Sequence, residues 1–200
     1  MKVKVCGMRD PDNIRQLAAL PVDLVGLIFH EPSPRHAGGL AAGLLPPSPP
    51  AVGVFVDAPL EVVLERVGRH ALHAVQLHGD EPPAYREALR RRGIKVIKAL
   101  HVATAADLRA TAPAEESSDY LLFDAATPGS GKKFDWGLLR AYAGRLPFFL
   151  GGGVGPGDAA ALCRLRHPLL HAVDVNSRFE TAPGLKNIQA IEQFIITLNA

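Results

Sequence analysis

The chain has 200 residues, of which 48% are hydrophobic, and it carries a formal net charge of +2. This size and hydrophobic content suffice for one domain with a substantial core, and the weak, dispersed charge does not favour nucleic-acid binding. No apolar run is long enough to span a bilayer and no apolar leader follows the charged first residues, so we expect a soluble, cytoplasmic protein. The two cysteines, Cys6 and Cys163, form neither a metal-binding pattern nor a disulfide framework.

Short β-rich segments alternate with helical patterns along the chain. Strands are predicted at about residues 2–6, 23–29, 51–56, 73–77, 94–99, 119–123, 147–151 and 171–175. Helices are predicted at 11–20, 59–69, 82–92, 103–112, 135–144, 157–165 and 187–198. The second connection, 38–45, leaves room for little more than two helical turns before the stiff proline segment 46–50.

This alternation predicts the fold. Strands joined through helices pair in parallel, and eight such units in one short chain predict a closed (β/α)8 barrel, a TIM barrel, as a single domain over residues 1–200. A doubly wound open sheet is the alternative, but it does not explain why the units follow one another so evenly. Active sites of these barrels lie at the carboxyl ends of the strands, so the polar residues found there are the functional candidates.

The first strand runs into Cys6 and Gly7. Lys4 precedes Cys6 by two residues and shares its face of the strand. An ammonium beside a thiol favours the thiolate, which acts as a base or nucleophile. The alternative is a buried cysteine that only packs, which is the commoner case for a lone cysteine.

Asp124 ends the apolar run 120–123 of the sixth strand. A carboxyl group in such surroundings is partly desolvated, which raises its pKa and suits a general acid. A helix-capping or salt-bridged aspartate is the alternative. Asp124 and Cys6 would face each other across the barrel mouth, where they could move protons on two sides of one small substrate.

Two further loops carry candidates for anion binding. The glycines at 151–153 precede a predicted helix, and exposed amides at that point favour an anion. Phosphate in this fold commonly lies between the loops after strands 7 and 8, which predicts a site at Gly152, Gly153, Asn176 and Ser177; a simple tight turn is the alternative. Arg35, between prolines and a glycine pair, suits bidentate binding of a carboxylate, although an exposed loop arginine has the same pattern.

Gln76 and His78 stand at the end of the fourth strand, just before Asp80 and Glu81. Their spacing matches no recognised metal site, so we predict no metal. Asp80 and Glu81 are more simply the negatively charged first turn of a helix.

Taken in order, these segments resemble the phosphoribosylanthranilate isomerase family of tryptophan biosynthesis. The resemblance covers essentially the whole chain, and its segments are 4–8, 25–29 with 33–35, 52–56, 75–81, 134–136, 151–153, 173–177 and 183–186. Each segment is weak alone, but their combination in this order is highly specific.

The resemblance implies a reaction without metal or cofactor, in which N-(5-phosphoribosyl)anthranilate becomes 1-(2-carboxyphenylamino)-1-deoxyribulose 5-phosphate. It implies that Asp124 protonates the furanose ring oxygen and that the Cys6 thiolate removes the proton from C2. The substrate-binding residues would be Arg35 for the anthranilate carboxylate, Asp174 for a sugar hydroxyl, Gln76 and His78, with the amides of Gly152, Gly153, Asn176 and Ser177 on the phosphate. We expect a phosphosugar as ligand, no nucleic-acid or membrane partner, and a monomer or weak homodimer.

Three other functions stay open. An aldose–ketose isomerase of histidine biosynthesis typically uses two aspartates, which Cys6 argues against. A catalytically silent barrel would not need both a candidate acid and a candidate base, and a thiol redox protein would need a second cysteine near Cys6. Arg178 stands where the family often has a small residue, so it either adds a charge near the phosphate or points away.

Overall fold

Eight parallel strands form the centre of the molecule. The structure, a computed structural model, describes residues 1–125 and 135–200; the predicted loop at 127–133 lies outside the described residues. The strands are β1 Lys2–Val5, β2 Leu24–Ile28, β3 Ala51–Phe55, β4 Ala74–Leu77, β5 Lys95–Val102, β6 Tyr120–Ala125, β7 Phe148–Leu150 and β8 Leu170–Val175. They pair in chain order, and β8 pairs with β1 to close the barrel. The TIM-barrel prediction is confirmed.

Helices of varied length surround the strands. They are α1 Pro11–Ala18, α2 Leu60–His70, α3 Pro83–Arg90, α4 Ala105–Arg109, α5 Ala112–Glu115, α6 Ala159–Arg164 and α7 Ile188–Asn199, with short 3₁₀ helices at Trp136–Ala141, Pro156–Asp158 and Ser177–Phe179. Asp10 caps α1, because its carboxylate accepts a hydrogen bond from the Asn13 amide at 2.8 Å. None of the helices in the described ranges has the length and apolar character needed to cross a bilayer.

Several predicted helices were wrong in extent. Residues 38–45 form turns rather than a short helix, since glycines interrupt this segment and a proline follows it. The helix predicted at 103–112 is the pair α4 and α5, because Pro113 has no amide hydrogen to extend α4 and lies in the first turn of α5. The helix predicted at 135–144 is only the 3₁₀ helix Trp136–Ala141, and that at 157–165 divides into Pro156–Asp158 and α6.

Strand alternation decides which side chains fill the barrel. Inward positions in its lower half carry a small apolar cluster made of Val52, Ala74, Ile97, Ala99, Leu122, Phe149 and Ala172. Two residues further along their strands, the same face carries Gln76, Asp124 and Asp174. The outward faces pack against the helices in a larger core. The polar side chains therefore stand on a tightly packed apolar floor.

A short hairpin follows β8 and belongs to the upper end of the barrel. It consists of β9 Glu180–Ala182 paired with β10 Leu185–Lys186. The Asn13 side chain of α1 accepts a hydrogen bond from the Lys186 amide at 2.7 Å and donates one to its carbonyl at 3.0 Å. These bonds tie the end of the hairpin to α1 and direct the Lys186 side chain inward, where it is buried.

Candidate active site

A cavity of about 330 Å³ opens at the carboxyl ends of the strands. The structure brings all of the predicted site residues to its wall, namely Cys6, Arg35, Gln76, His78, Asp124, Gly152, Gly153, Asp174, Asn176 and Ser177. His30 and Arg178 line it as well. These residues are far apart in the sequence, but the barrel brings the carboxyl ends of all its strands to one side.

Cys6 lies at the end of β1, and only 3% of it is exposed. Its amide donates to the Val175 carbonyl at 2.8 Å, which holds it between β1 and β8. Burial raises the pKa of the thiol above its ordinary value; the charges of Lys4 and Lys186 act against this, and Asp174 adds to it. Lys4 thus favours the thiolate, as its position on the strand predicts, but burial outweighs it.

Lys4 is fully buried, and its Nζ lies 2.9 Å from Asp174 Oδ1. Burial acts to lower the pKa of Lys4, but the charges of Asp174 and Cys6 outweigh it and raise the pKa overall. Burial raises the pKa of Asp174, and the charge and hydrogen bond of Lys4 act against this. Asp174 faces the cavity with one oxygen already engaged by Lys4.

Asp124 is placed by β6, with its Oδ1 accepting a hydrogen bond from the Ala125 amide at 2.8 Å. Burial raises the pKa of this carboxyl group, and the charge of Asp174 adds to the effect; the Ala125 amide, His101 and Lys4 oppose it. A raised pKa keeps a larger share of Asp124 protonated, which suits a proton donor.

The glycine segment after β7 lies directly against Asp124. Gly152 has φ of +74°, and a Cβ at this position would lie 2.5 Å from the Ala125 nitrogen and 3.1 Å from Asp124 Oδ1. Only a residue without Cβ fits here. The segment therefore lets the loop after β7 approach the candidate acid directly.

The loops after β7 and β8 line the cavity together. Gly152 and Gly153 precede the 3₁₀ helix Pro156–Asp158, and Asn176 and Ser177 stand at the start of Ser177–Phe179. Arg178 is exposed and lines the same cavity, with its Nε 3.3 Å from the position of a Cβ on Gly155. Of the two alternatives for Arg178, the structure shows the one in which the guanidinium lies beside the glycine loop.

Gln76 and His78 form a pair on the opposite side, in which Gln76 is buried and His78 is partly exposed. Gln76 is 1% exposed, and its Nε2 lies 2.6 Å from His78 Nε2. Burial, together with the charges of Lys4, His101 and Lys98, lowers the pKa of His78 to about 3, so its imidazole is neutral. Within the described part of the chain, Gln76 Oε1 is buried without a hydrogen-bond partner, and an acceptor in that state favours a ligand that donates to it.

Arg35 is held by a residue that the sequence did not single out. Its Nε lies 2.9 and 3.1 Å from the two carboxylate oxygens of Glu180, and its Nη2 lies 2.8 Å from Oε2. Glu180 in turn accepts a hydrogen bond from Lys186 at 2.5 Å. Arg35 is thus a fixed residue, not a solvated loop arginine. Its Nε/Nη2 edge is occupied, which leaves the Nη1/Nη2 edge for a ligand carboxylate.

Sequence spacing alone could not indicate Glu180 and Lys186, because they lie on the hairpin and not at the end of a barrel strand.

The prediction that Glu81 belongs to the first turn of a helix was wrong. Glu81 is buried before α3 begins, and its Oε1 accepts hydrogen bonds from the Asp57 and Gly79 amides at 3.0 and 3.1 Å. Across residues 1–125 and 135–200, no group of three His, Cys, Asp or Glu side chains is arranged to hold a metal ion.

A family model and a sequence relative agree on one family. The family model described as N-(5'-phosphoribosyl)anthranilate (PRA) isomerase matches residues 3–197. The N-(5'-phosphoribosyl)anthranilate isomerase of Parabacteroides distasonis is 43% identical over 203 residues, covering 98% of this chain and 92% of that protein.

Solved structures agree with this result. The crystal structure of phosphoribosyl anthranilate isomerase from Thermotoga maritima is 31% identical with a TM-score of 0.87, covering 100% of this chain and 98% of that one. A phosphoribosyl anthranilate isomerase crystallised with reduced 1-(o-carboxyphenylamino)-1-deoxyribulose 5-phosphate is 30% identical with a TM-score of 0.84 and the same coverage. The chain belongs to the N-(5'-phosphoribosyl)anthranilate isomerase family.

Proposed function

We propose that this chain catalyses the Amadori rearrangement of N-(5-phosphoribosyl)anthranilate to 1-(2-carboxyphenylamino)-1-deoxyribulose 5-phosphate in tryptophan biosynthesis. The observation that carries the proposal is the joint placement of Cys6 and Asp124 on the wall of one cavity that also holds two amide-rich loops. A base, an acid and an anion site are what this rearrangement of a phosphorylated sugar needs. The membership of the isomerase family supports the same reaction.

Asp124 is the proton donor of the first step. It protonates the furanose ring oxygen, the bond from that oxygen to C1 breaks, and the nitrogen lone pair forms an iminium ion with C1. The partly desolvated carboxyl group suits this role because its pKa is raised by burial.

Cys6 is the base of the second step. Its thiolate removes the proton from C2, and the electrons of that C–H bond form the C1–C2 double bond of an enolamine while the iminium nitrogen regains its lone pair. Tautomerisation then moves a proton from the C2 hydroxyl to C1 and leaves the ketone. The proton given to the ring oxygen balances the one taken from C2, so the reaction needs no oxidant or reductant. Cys6 forms no covalent bond to the substrate.

The remaining wall residues bind the two ends of the substrate. Arg35 takes the anthranilate carboxylate on its Nη1/Nη2 edge, and Asp174 accepts a hydrogen bond from a sugar hydroxyl. Gln76 Oε1 accepts from a further substrate donor beside the neutral His78. The amides of Gly152, Gly153, Asn176 and Ser177 bind the phosphate, with Arg178 adding positive charge beside them.

Three expectations about the whole protein stay predictions. They are a single catalytic domain over residues 1–200, a cytoplasmic location, and a monomer or weak homodimer. For the last, the Thermotoga maritima enzyme is described as dimeric, and monomers of it have been generated. A relative that can exist in both forms supports the expectation of a monomer or weak homodimer.

The test is a direct assay. The substrate is generated in situ from anthranilate and phosphoribosyl diphosphate with a phosphoribosyltransferase, and the loss of its anthranilate fluorescence is followed after this protein is added. We expect turnover that depends on protein concentration. A rate equal to that of the spontaneous decay would exclude the proposed reaction.

A further inference from the structure

Lys186 is a buried lysine at the site whose role is not explained by the chemistry above. It lies on β10, and its side chain has no exposed surface. Its Nζ is 2.8 Å from Asn176 Oδ1 and 2.5 Å from Glu180 Oε1. One ammonium therefore contacts the strand-8 loop and the hairpin at the same time.

Glu180 links Lys186 to Arg35. Besides Lys186, the Glu180 carboxylate accepts hydrogen bonds from the Arg35 guanidinium and, at 3.1 Å, from the Gly184 amide. Burial alone would raise the pKa of Glu180, but the hydrogen bonds from Arg35 and Lys186 outweigh it and lower the pKa. Glu180 is therefore a carboxylate that fixes the guanidinium in one orientation.

These side chains converge on the residue next to Cys6. A Cβ on Gly7, which has φ of +76°, would lie 2.6 Å from Asn176 Oδ1, 2.8 Å from Arg35 Cδ and 3.3 Å from Lys186 Nζ. The ammonium of Lys186 thus lies against the backbone directly after the candidate base. The glycine is required because no side chain fits into this group of contacts.

Among the residues that the structure describes, the charges that act on Cys6 come from three strands. They are Lys4 on β1, Asp174 on β8 and Lys186 on β10. Lys4 pairs with Asp174, and its charge acts on Cys6 more strongly than the opposing charge of Asp174. Lys186 lowers the pKa of Cys6, and Cys6 in return opposes the lowering of the Lys186 pKa by burial.

We propose that Lys186 is a positioning residue of this site: it holds Glu180 against Arg35 and Asn176 beside the phosphate loop, and its charge favours the Cys6 thiolate. A buried ion pair is a costly way to stabilise a hairpin, since apolar residues of similar volume often serve equally well. The lysine is explained by its three contacts, which are Asn176, the backbone directly after the candidate base, and Glu180, the carboxylate that holds Arg35. The roles of Arg35 and Asn176 rest on the proposed function, whereas the effect on Cys6 does not.

The first measurement needs no substrate. Wild-type protein and the neutral variants Lys186→Met and Lys186→Gln are alkylated with iodoacetamide at a series of pH values, and modification of the Cys6 peptide is followed by mass spectrometry. Below the pKa of Cys6 we expect the rate in both variants to fall by about three- to tenfold, because the thiolate fraction falls with each rise in pKa. Lys186→Gln keeps a hydrogen-bond donor, so it provides the test if the methionine variant does not fold.

The second measurement separates positioning from stability. In the fluorescence assay, we expect kcat of the same variants to fall about as much as the alkylation rate, and KM to rise several-fold because Arg35 and Asn176 are no longer held. Lys98→Met is the matched control. It also removes a buried lysine paired with a glutamate, Glu81, but Lys98 does not act on Cys6, so the Cys6 alkylation rate should stay at the wild-type value.

The two proposals fail differently. Wild-type protein without turnover contradicts the proposed reaction, while a reduced alkylation rate in the Lys186 variants still supports the effect on Cys6. Folded Lys186 variants that alkylate at the wild-type rate overturn the inference even if the wild-type protein is active. Loss of thermal stability with unchanged alkylation and KM would show that Lys186 is only a structural residue.

Discussion

The Lys4 ammonium lies 2.9 Å from Asp174 Oδ1, at the register position where β1 and β8 close the barrel. The same ammonium acts on the thiol of Cys6, two residues further along β1. One ion pair therefore joins the first and last strands of the barrel and contributes to the charge around the candidate base. Stability and reactivity are linked in this pair, and each can be measured separately.

Replacing Lys4 by methionine should destabilise the protein strongly. The change leaves the nearly buried Asp174 carboxylate without its partner, which costs about 3–5 kcal/mol when one half of a buried pair is removed. Denaturant unfolding of Lys4→Met measures this loss, with the exposed Lys2→Met on the same strand as control. A loss below about 1 kcal/mol, the range of surface pairs, would show that this pair is not the buried interaction described above.

Removing either candidate catalytic group should abolish most activity. We expect Cys6→Ser and Asp124→Asn each to lower kcat by at least about a hundredfold, since a general acid or base contributes about 10²–10⁴ to the rate. Cys163→Ser is the control, because the other cysteine lies on α6 and packs against the core away from the cavity. Near-normal kcat in either catalytic variant would remove that residue from the mechanism.

The pH profile of kcat/KM should be level between the pKa of Asp124 and that of Cys6 and fall on both sides. The pKa of Asp124 is raised above 3.8 and that of Cys6 above 9.0, so the active form, which has a thiolate and a carboxylic acid, is a small and constant fraction between the two pKa values. Below the pKa of Asp124 the thiolate fraction keeps falling while the acid is already fully protonated. Above the pKa of Cys6 the thiol is already fully deprotonated, while the protonated fraction of Asp124 keeps falling.

The assignment of Cys6 as the base predicts the pH at which the alkaline limb of the kcat/KM profile begins. The pH at which kcat/KM begins to fall should coincide with the pH midpoint of Cys6 alkylation in the free protein, because kcat/KM reports groups of the free enzyme. An activity that falls with a midpoint near neutral pH would assign that limb to another group.

Glu180→Gln should lower stability in a pH-dependent way. The folded-state pKa of Glu180 lies below its ordinary 4.5, because the hydrogen bonds from Arg35 and Lys186 outweigh burial. Its contribution is therefore complete above the unfolded-state pKa and is lost as the pH falls through the folded-state value. We expect a lower melting temperature than wild type at pH about 7 and a difference that shrinks below pH about 4.5. Glu192→Gln, an exposed position on α7, is the control.

Gly152→Ala should damage both stability and activity. A residue with Cβ at φ of +74° is strained by about 1–2 kcal/mol, and here the Cβ would also press on the Ala125 amide and Asp124. We expect reduced kcat together with a lower melting temperature. Gly157→Ala is the matched control, since a Cβ there meets open space. Equal behaviour of the two variants would mean that the approach of the loop to Asp124 is not needed.

The sequence alone determined the barrel and the residues on its mouth. Strand periodicity is local, and it places Cys6, Gln76, Asp124 and Asp174 near strand ends without any knowledge of distances. Closure of parallel strands then brings these ends together whatever their separation along the chain. Strand alternation also indicated that Lys4 and Cys6 lie on the same face of β1.

Only the tertiary structure decided how these groups are charged and held. The pKa of Cys6 depends on its burial and on charges from β1, β8 and the hairpin, and no local sequence pattern contains all of these contributions. The contacts of Lys186 with Glu180 and Asn176 arise because α1 fixes the end of the hairpin through Asn13, an interaction across 173 residues. Local periodicity orients a side chain, but its partner and its protonation equilibrium are set by whichever distant segments pack against it.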